Sequence, residues 1–533
     1  MSKVSLLALT LSLAATAATA ASRDVGVDAL FRQWDRKDTP GCALGVIQNG
    51  ELLYSRAYGM ANLEHDVPLS TRSVFRTGSL GKQFTAFAIL LAEQQGKLSV
   101  DDDVRLYLPE LPETERPITI RHLIHHTSGL RDYLTLMELA GFRDEDFYTE
   151  QDILDRLSRQ ENLNFEPGSE YLYSNTGYFL LSQILLRATG STLAQFAARY
   201  LFEPLGMRDT HFHDDFRKIV PGRATGYRPR ESEDGFEIDM TTLNMVGDGG
   251  VFTTVEDLVH WDRNFYSGEV GGAELARKRL ETGRLDDGRV QTYAYGLTIG
   301  SHRGHRTVSH GGAFVGFRSA MIQFPDDRFS VYVLCNLATA QPTTLAEQVA
   351  DIFLELEPEP EPAEVAVEAA RFEPWTGVYF DESTGDLAEI VLKDGALYWQ
   401  EAERKLSAVA PPRFRVASTE LTFDPPQMRV ERAGQRPFAY RRVETVTPDV
   451  AALARYVGLY HCRELDLVYR IELDDSNQLV LDGRSFRSPM TPVFHDGFRW
   501  EQGTLVFSRG VENKLRSFEL SAGRARNFVF VRQ

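Results

Sequence analysis

Ser79 and Lys82 stand three residues apart at the head of an apolar stretch, Phe75 to Gln95, which reads FRTGSLGKQFTAFAILLAEQQ. From Phe84 to Ala92 the stretch lacks a polar face, so it reads as a buried helix, stopped by Gly96. A lysine is almost never fully buried without a partner. Side chains three apart share a helix face, so Ser79 Oγ and Lys82 Nζ can touch. An apolar setting favours the neutral amine, and a neutral amine can take a proton from a serine. The spacing therefore suits a nucleophile with its base. A capping serine and a lysine reaching out to water would share that spacing, so the reading needs partners elsewhere in the chain.

Two further loci supply them. Phe165 to Gly190 reads FEPGSEYLYSNTGYFLLSQILLRATG. Pro167-Gly168 marks a turn, Ser174 or Asn175 a helix cap, and Gly190 the helix end. Tyr173 and Asn175 face the same side of an extended segment. Tyr173 offers a phenol that could pass a proton to a leaving group, and Asn175 an amide that could hold a substrate amide. His310-Gly311-Gly312 ends a predicted strand, and its glycines would let a substrate lie against the backbone. His310 itself should be partly charged near neutral pH. His125 and His126 in HLIHHTSGL are adjacent and point apart, so they do not suggest a shared metal.

These residues need a frame. Gly41 to Gln48 and Leu52 to Tyr58 flank Asn49-Gly50, a hairpin signal. Thr253 to Asp257 opens a helix in the style of a capping box. Strand signals follow at Tyr295 to Gly300, Arg306 to His310, Arg318 to Phe324 and Phe329 to Cys335. Strands at both ends and helices between predict an α+β domain with one antiparallel sheet closed by both termini. Leu354 to Ala370 alternates Glu and Pro and reads as a semi-rigid linker. Beyond it the chain is strand-like and repeats itself. Trp375-Thr376-Gly377-Val378-Tyr379 returns about 80 residues later as Tyr456-Val457-Gly458-Leu459-Tyr460, and Ala433-Gly434 before Phe438 returns as Ala522-Gly523 before Phe528. Two small antiparallel β-barrels are predicted, filled by residues such as Trp375, Tyr379, Tyr456 and Tyr460. The domains then run 21–353, linker 354–370, and barrels 371–447 and 448–533.

Of 533 residues, 43 % are hydrophobic and 25 % charged, and the formal net charge is −18. That balance argues against nucleic acid as a partner. Residues 1–20 read as a secretory leader: Lys3, an apolar Val4 to Ala15, then Ala18-Thr19-Ala20. The apolar run is too short to span a bilayer, so a periplasmic or secreted protein without an integral membrane segment is expected. The three cysteines are too few for a disulfide scaffold and lack zinc spacing. Cys42 and Cys335 fall in strands that could be neighbours, where two reduced thiols are expected; Cys462 is left free.

Ser79-x-x-Lys82, Tyr173-Ser174-Asn175 and His310-Gly311-Gly312 together resemble, in order and spacing, the serine β-lactamase and penicillin-binding-protein-like hydrolases, closest to their class C and esterase branch. LIHHTSGL, FEPLGM (Phe202 to Met207) and GGAFVGF (Gly311 to Phe317) extend the likeness over Ala29 to Leu337. The resemblance implies an acyl-enzyme on Ser79, proton work shared by Lys82 and Tyr173, and an oxyanion between the backbone N–H groups of Ser79 and Ala313. It implies Asn175, His310, Gly311 and Gly312 as substrate contacts, and no metal or organic cofactor. The linker and paired barrels are similar to D-aminopeptidases of that family, which implies a barrel rim loop over the Ser79 cleft; barrels that only stabilise the protein or join it as a homodimer are the competing reading. Gly311 stands where penicillin-recognising relatives have Thr, and His310 where they have Lys. Both changes weaken recognition of a substrate carboxylate and favour an esterase, amidase or aminopeptidase over a true β-lactamase; the leading expectation is a D-aminopeptidase or amidase acting on a small molecule or peptide. A broad esterase, a DD-peptidase or β-lactamase-like enzyme, and a slowly acylating penicillin-binding sensor are the competing readings.

Overall fold

In the computed structural model, residues 22–143, 146–358, 365, 371–399 and 403–533 are described. The predicted leader and most of the Glu/Pro linker lie outside them. The chain divides into two compact units. Among the described residues, one comprises 22–99, 181–281 and 293–358, the other 100–180, 282–292 and those beyond 360.

The first unit is built on a six-stranded sheet. β1 (Cys42–Gln48) and β2 (Glu51–Tyr58) form the predicted hairpin. Asn49 and Gly50 take φ of 54° and 78°, the left-handed pair that such a tight turn demands. β3 (Thr298–His302), β4 (His305–Phe314), β5 (Phe317–Phe324) and β6 (Phe329–Cys335) follow late in the chain. The order is β3-β4-β5-β6-β1-β2, with every neighbouring pair antiparallel, so the first hairpin docks beside the last strand as expected. Helix α1 (Lys82–Gln94) is buried from Lys82 to Ala92, as its missing polar face implies. Helix α2 (Val255–Ser267) is capped by Thr254, which accepts the Asp257 N–H. The Asp257 carboxylate turns instead to Asp209 N–H and the Thr210 hydroxyl. α2 can reach β1 because residue 45 is glycine: a Cβ there would lie 2.5 Å from Val255 Cγ1. Helix α3 (Pro342–Leu354) packs Val349 and Phe353 into a cluster with Val27, Phe31, Val46 and Val331.

Cys42 and Cys335 correct one expectation. They are not reduced thiols but a disulfide. The register sets them directly opposite on β1 and β6 with Cα atoms 4.0 Å apart, and at such a pair the two side chains stand on the same face. Cys462 is free and buried, and burial pushes its thiol up to about 11.

The second unit holds the short helices Ile120–Ile124, Tyr133–Leu139 and Glu150–Ser158, and the start of the helix Asn175–Thr189. It also holds the two β modules. The first is a nine-stranded sheet whose edges, Arg404–Lys405 and Ser407–Ala410, are consecutive in the chain, so it curls into a nearly closed barrel. The second is a closed barrel of eight strands, from Gly458–Cys462 to Ala525–Arg532. The repeat is kept in atomic detail. Tyr379 Oη donates to the Trp375 carbonyl at 3.0 Å, and Tyr460 Oη to the Tyr456 carbonyl at 2.8 Å. Side chains fill both interiors, with Tyr379, Phe414 and Phe423 in one and Tyr460, Phe507 and Phe518 in the other.

Candidate active site

Ser79 lies one turn before α1 proper. Gly78–Gly81 is a 3-10 turn, and the Lys82 N–H bonds to the Ser79 carbonyl. Residues three apart eclipse in a 3-10 turn, more closely than on an α-helix. Lys82 Nζ accordingly sits 3.2 Å from Ser79 Oγ. Lys82 is 0 % exposed, and its Nζ also donates to the Asp248 carbonyl at 2.6 Å. Gly247, Asp248 and Val251 turn three carbonyls inward, taking Thr85 Oγ1, Lys82 Nζ and Thr77 Oγ1. Burial of the amine and a hydroxyl within hydrogen-bond reach form an arrangement in which serine can lose its proton to lysine.

β4 presses against this turn. A Cβ at Gly312 would fall 1.9 Å from the Thr77 carbonyl oxygen, and one at Gly78 would fall 2.9 Å from the Ala313 nitrogen. Gly78 has φ of 53°, so glycine serves conformation and contact together. Ser319 Oγ, opposite Gly312 on β5, ties the same Thr77 carbonyl at 2.6 Å. Ser79, Lys82, Gly312 and Ala313 are thus brought together within one unit.

His310 and its glycines do not end a strand. They lie inside β4, which runs on to Phe314, because Gly311 and Gly312 pair with Ala320 and Ser319 through backbone atoms alone. Nor is His310 partly charged. Its Nδ1 lies 2.6 Å from the Gly311 carbonyl, which can only accept, so Nδ1 carries the proton. Nε2 is then an acceptor, filled by Tyr293 Oη at 3.0 Å. Both ring nitrogens are engaged by protein. Burial drives its pKa down to about 4 against the pull of the Gly311 carbonyl, and charge on Lys82 pushes it lower. A depressed value means that protonation opposes folding. The stability tied to neutral His310 is present above the unfolded value of about 6.5 and is lost as pH falls through about 4. Followed by NMR, the His310 ring should show no titration step between about pH 8 and 5; a midpoint near 6.5 would contradict the assignment.

Tyr173 and Asn175 belong to the second unit. Residues 168–172 run beside 126–127, with Gly168 N–H on the Thr127 carbonyl and Leu172 N–H on the His126 carbonyl. Ser174 N–H donates to His126 Nδ1 at 3.1 Å, and the Tyr173 ring lies 4.2 Å from the His126 ring. Asn175 N–H donates to Asp132 Oδ2 at 2.6 Å, which orients the helix start. The guanidinium of Arg524 covers the Tyr173 ring at 4.8 Å.

Asp248, Tyr293, Asp132 and Arg524 escaped the sequence reading. Asp248 contributes a carbonyl, for which residue type gives no signal, although Gly247, Gly249 and Gly250 mark its loop as backbone-driven. Tyr293 stands two residues before the Tyr295-Gly296 turn, where a Cβ at Gly296 would fall 2.5 Å from the Gln83 nitrogen.

A family model described as Beta-lactamase matches residues 27–353. The chain belongs to the Beta-lactamase family, as the three motifs suggested. A D-aminopeptidase of Gluconobacter oxydans is 29 % identical over 80 % of each chain. A penicillin-binding protein of Bacillus subtilis is 33 % identical over 54 % of this chain and 66 % of its own. Among solved structures, the octameric penicillin-binding protein homologue from Pyrococcus abyssi superposes with a TM-score of 0.54 at 19 % identity, covering 91 % of this chain and 99 % of its own. Catalytic domain and paired barrels together match the architecture of D-aminopeptidases.

Proposed function

We propose that this protein is an exported serine hydrolase that cleaves amide bonds through an acyl-enzyme, with D-aminoacyl amides or peptides bearing a free amino group as substrates. The observation that carries the reading is the buried Lys82 amine 3.2 Å from Ser79 Oγ. Ser79 gives its proton to Lys82 as Oγ bonds to the substrate carbonyl. The oxyanion takes the backbone N–H groups of Ser79 and Ala313, each worth about 3 kcal/mol in sites of this kind. Collapse breaks the C–N bond, and the leaving amine takes a proton from Tyr173, which Lys82 restores. Water then attacks the ester, its proton returning through the same pair, and the acid leaves as Ser79 regains its hydrogen. Asn175 holds the substrate amide.

The neutral His310 supports an amide with a free amino group over a carboxylate-bearing β-lactam, since it offers no cation to a carboxylate. The name of the Gluconobacter oxydans relative, matched over most of both chains, points the same way. Export is supported by the leader pattern in residues 1–20 and by the Cys42–Cys335 bond, which suits an oxidising compartment. A panel of D- and L-aminoacyl anilides, with N-acetylated forms and a chromogenic β-lactam, tests the reading. The free D-anilide should give the highest kcat/KM. Equal rates on D and L anilides, free and acetylated, would replace it with a broad esterase or amidase. His310→Lys should improve binding of carboxylate-bearing β-lactams and weaken hydrolysis of neutral esters. An unchanged preference would remove His310 from the specificity account.

A further inference from the structure

Glu170 stands three residues before Tyr173, and it is 1 % exposed. Two arginines meet its carboxylate, one on each oxygen. Arg436 Nε donates to Oε2 at 2.6 Å, and Arg526 Nη1 donates to Oε1 at 2.8 Å. Arg436 belongs to the first barrel and Arg526 to the second. Each stands two residues before the aromatic that the repeat aligns, Phe438 or Phe528. The two repeats therefore deliver the equivalent side chain to one carboxylate beside Tyr173.

Other contacts in the same unit converge there. Arg131 is fully buried, lies over the Phe528 ring at 4.1 Å and pairs with Glu464 of the second barrel. The Arg131 carbonyl accepts the Thr176 hydroxyl at 2.7 Å, one residue past Asn175. The Arg524 carbonyl accepts Asp132 N–H and Asn164 Nδ2, while its guanidinium covers Tyr173. A buried carboxylate between two arginines fixes geometry more surely than it adds stability, because each partner must sit at one place for the charges to be compensated.

We propose that the paired barrels position the Tyr173–Asn175 segment through Glu170, so that Glu170 is a positioning residue for the proton step. The inference rests on the role given to Tyr173 above. Displacing a proton donor by about 1 Å can cost on the order of 100-fold. An amide needs that donor, because its leaving amine must be protonated. An activated ester, such as a p-nitrophenyl ester, needs it little.

The test uses the full chain and the ratio of amide to activated-ester kcat/KM. Tyr173→Phe defines the signature of a lost donor. Glu170→Gln keeps shape and removes the charge. Arg436→Gln alters the more exposed arm of the clamp. Both clamp variants should lower the ratio about tenfold or more, mostly through the amide kcat and in the direction of Tyr173→Phe, with the ester kcat/KM, which reports acylation by a leaving group that needs no proton, nearly kept. Arg436→Lys, which keeps the charge, should recover part of the loss. If Tyr173→Phe lowers the ratio and the folded clamp variants do not, the positioning inference is overturned while the proposed mechanism stands. If Tyr173→Phe itself leaves the ratio unchanged, the role of Tyr173 and the inference built on it both fall.

Discussion

Ser79→Ala should lower kcat by on the order of a millionfold while the protein still folds, the scale on which a serine hydrolase depends on its nucleophile. The expectation of an intact fold is structural. Ser79 Oγ caps no helix in the described residues; the 3-10 turn is held by the Lys82 N–H on the Ser79 carbonyl, which alanine retains. Lys82 Nζ loses one partner but keeps the Asp248 carbonyl. The cost in stability should stay near 1 kcal/mol, read by thermal or denaturant unfolding. An alanine variant with undiminished turnover would mean that another group attacks the carbonyl.

Lys82→Arg should lower kcat/KM by about a thousandfold or more, since a general base of this kind supplies up to about 10⁴-fold and arginine does not give up its proton. The site also has no space for a planar fork, because Lys82 is wholly enclosed and already spans Ser79 and Asp248. Lys82→Met serves as the companion variant. It matches the length of the lysine stem, carries no charge and accepts no proton, so loss of activity in both separates chemistry from folding. Melting temperatures measured alongside identify any variant that fails by unfolding. Near-native rates in a folded Lys82→Met protein would place the base elsewhere.

Much of the frame could be read from the chain because local signals and global packing agree. Asn49-Gly50 demanded a left-handed turn, the unbroken apolar run after Lys82 demanded burial on all sides, and the Trp375 and Tyr456 copies named the same barrel corner twice. What could not be read depends on partners remote in sequence. Cys42 and Cys335 lie 293 residues apart, and only the β1–β6 register sets them face to face. The state of His310 follows from Tyr293 and from its own neighbour's carbonyl, neither of which its motif contains. Glu170 carries no signal of its own in the sequence, because its partners, Arg436 and Arg526, come from two separate barrels. The 3-10 geometry at Ser79 was hidden because a three-residue spacing fits both kinds of helix.

The proposed chemistry turns on a covalent intermediate on Ser79. The direct measurement is to treat the full chain with a fluorophosphonate, and separately to quench turnover of an activated ester at early times, then digest with trypsin and sequence the modified peptide by mass spectrometry. A single adduct is expected in each case, both on the peptide Thr77–Lys82 at Ser79, and none in Ser79→Ala. An adduct on another residue, or ester turnover with no covalent species at any quench time, would contradict it.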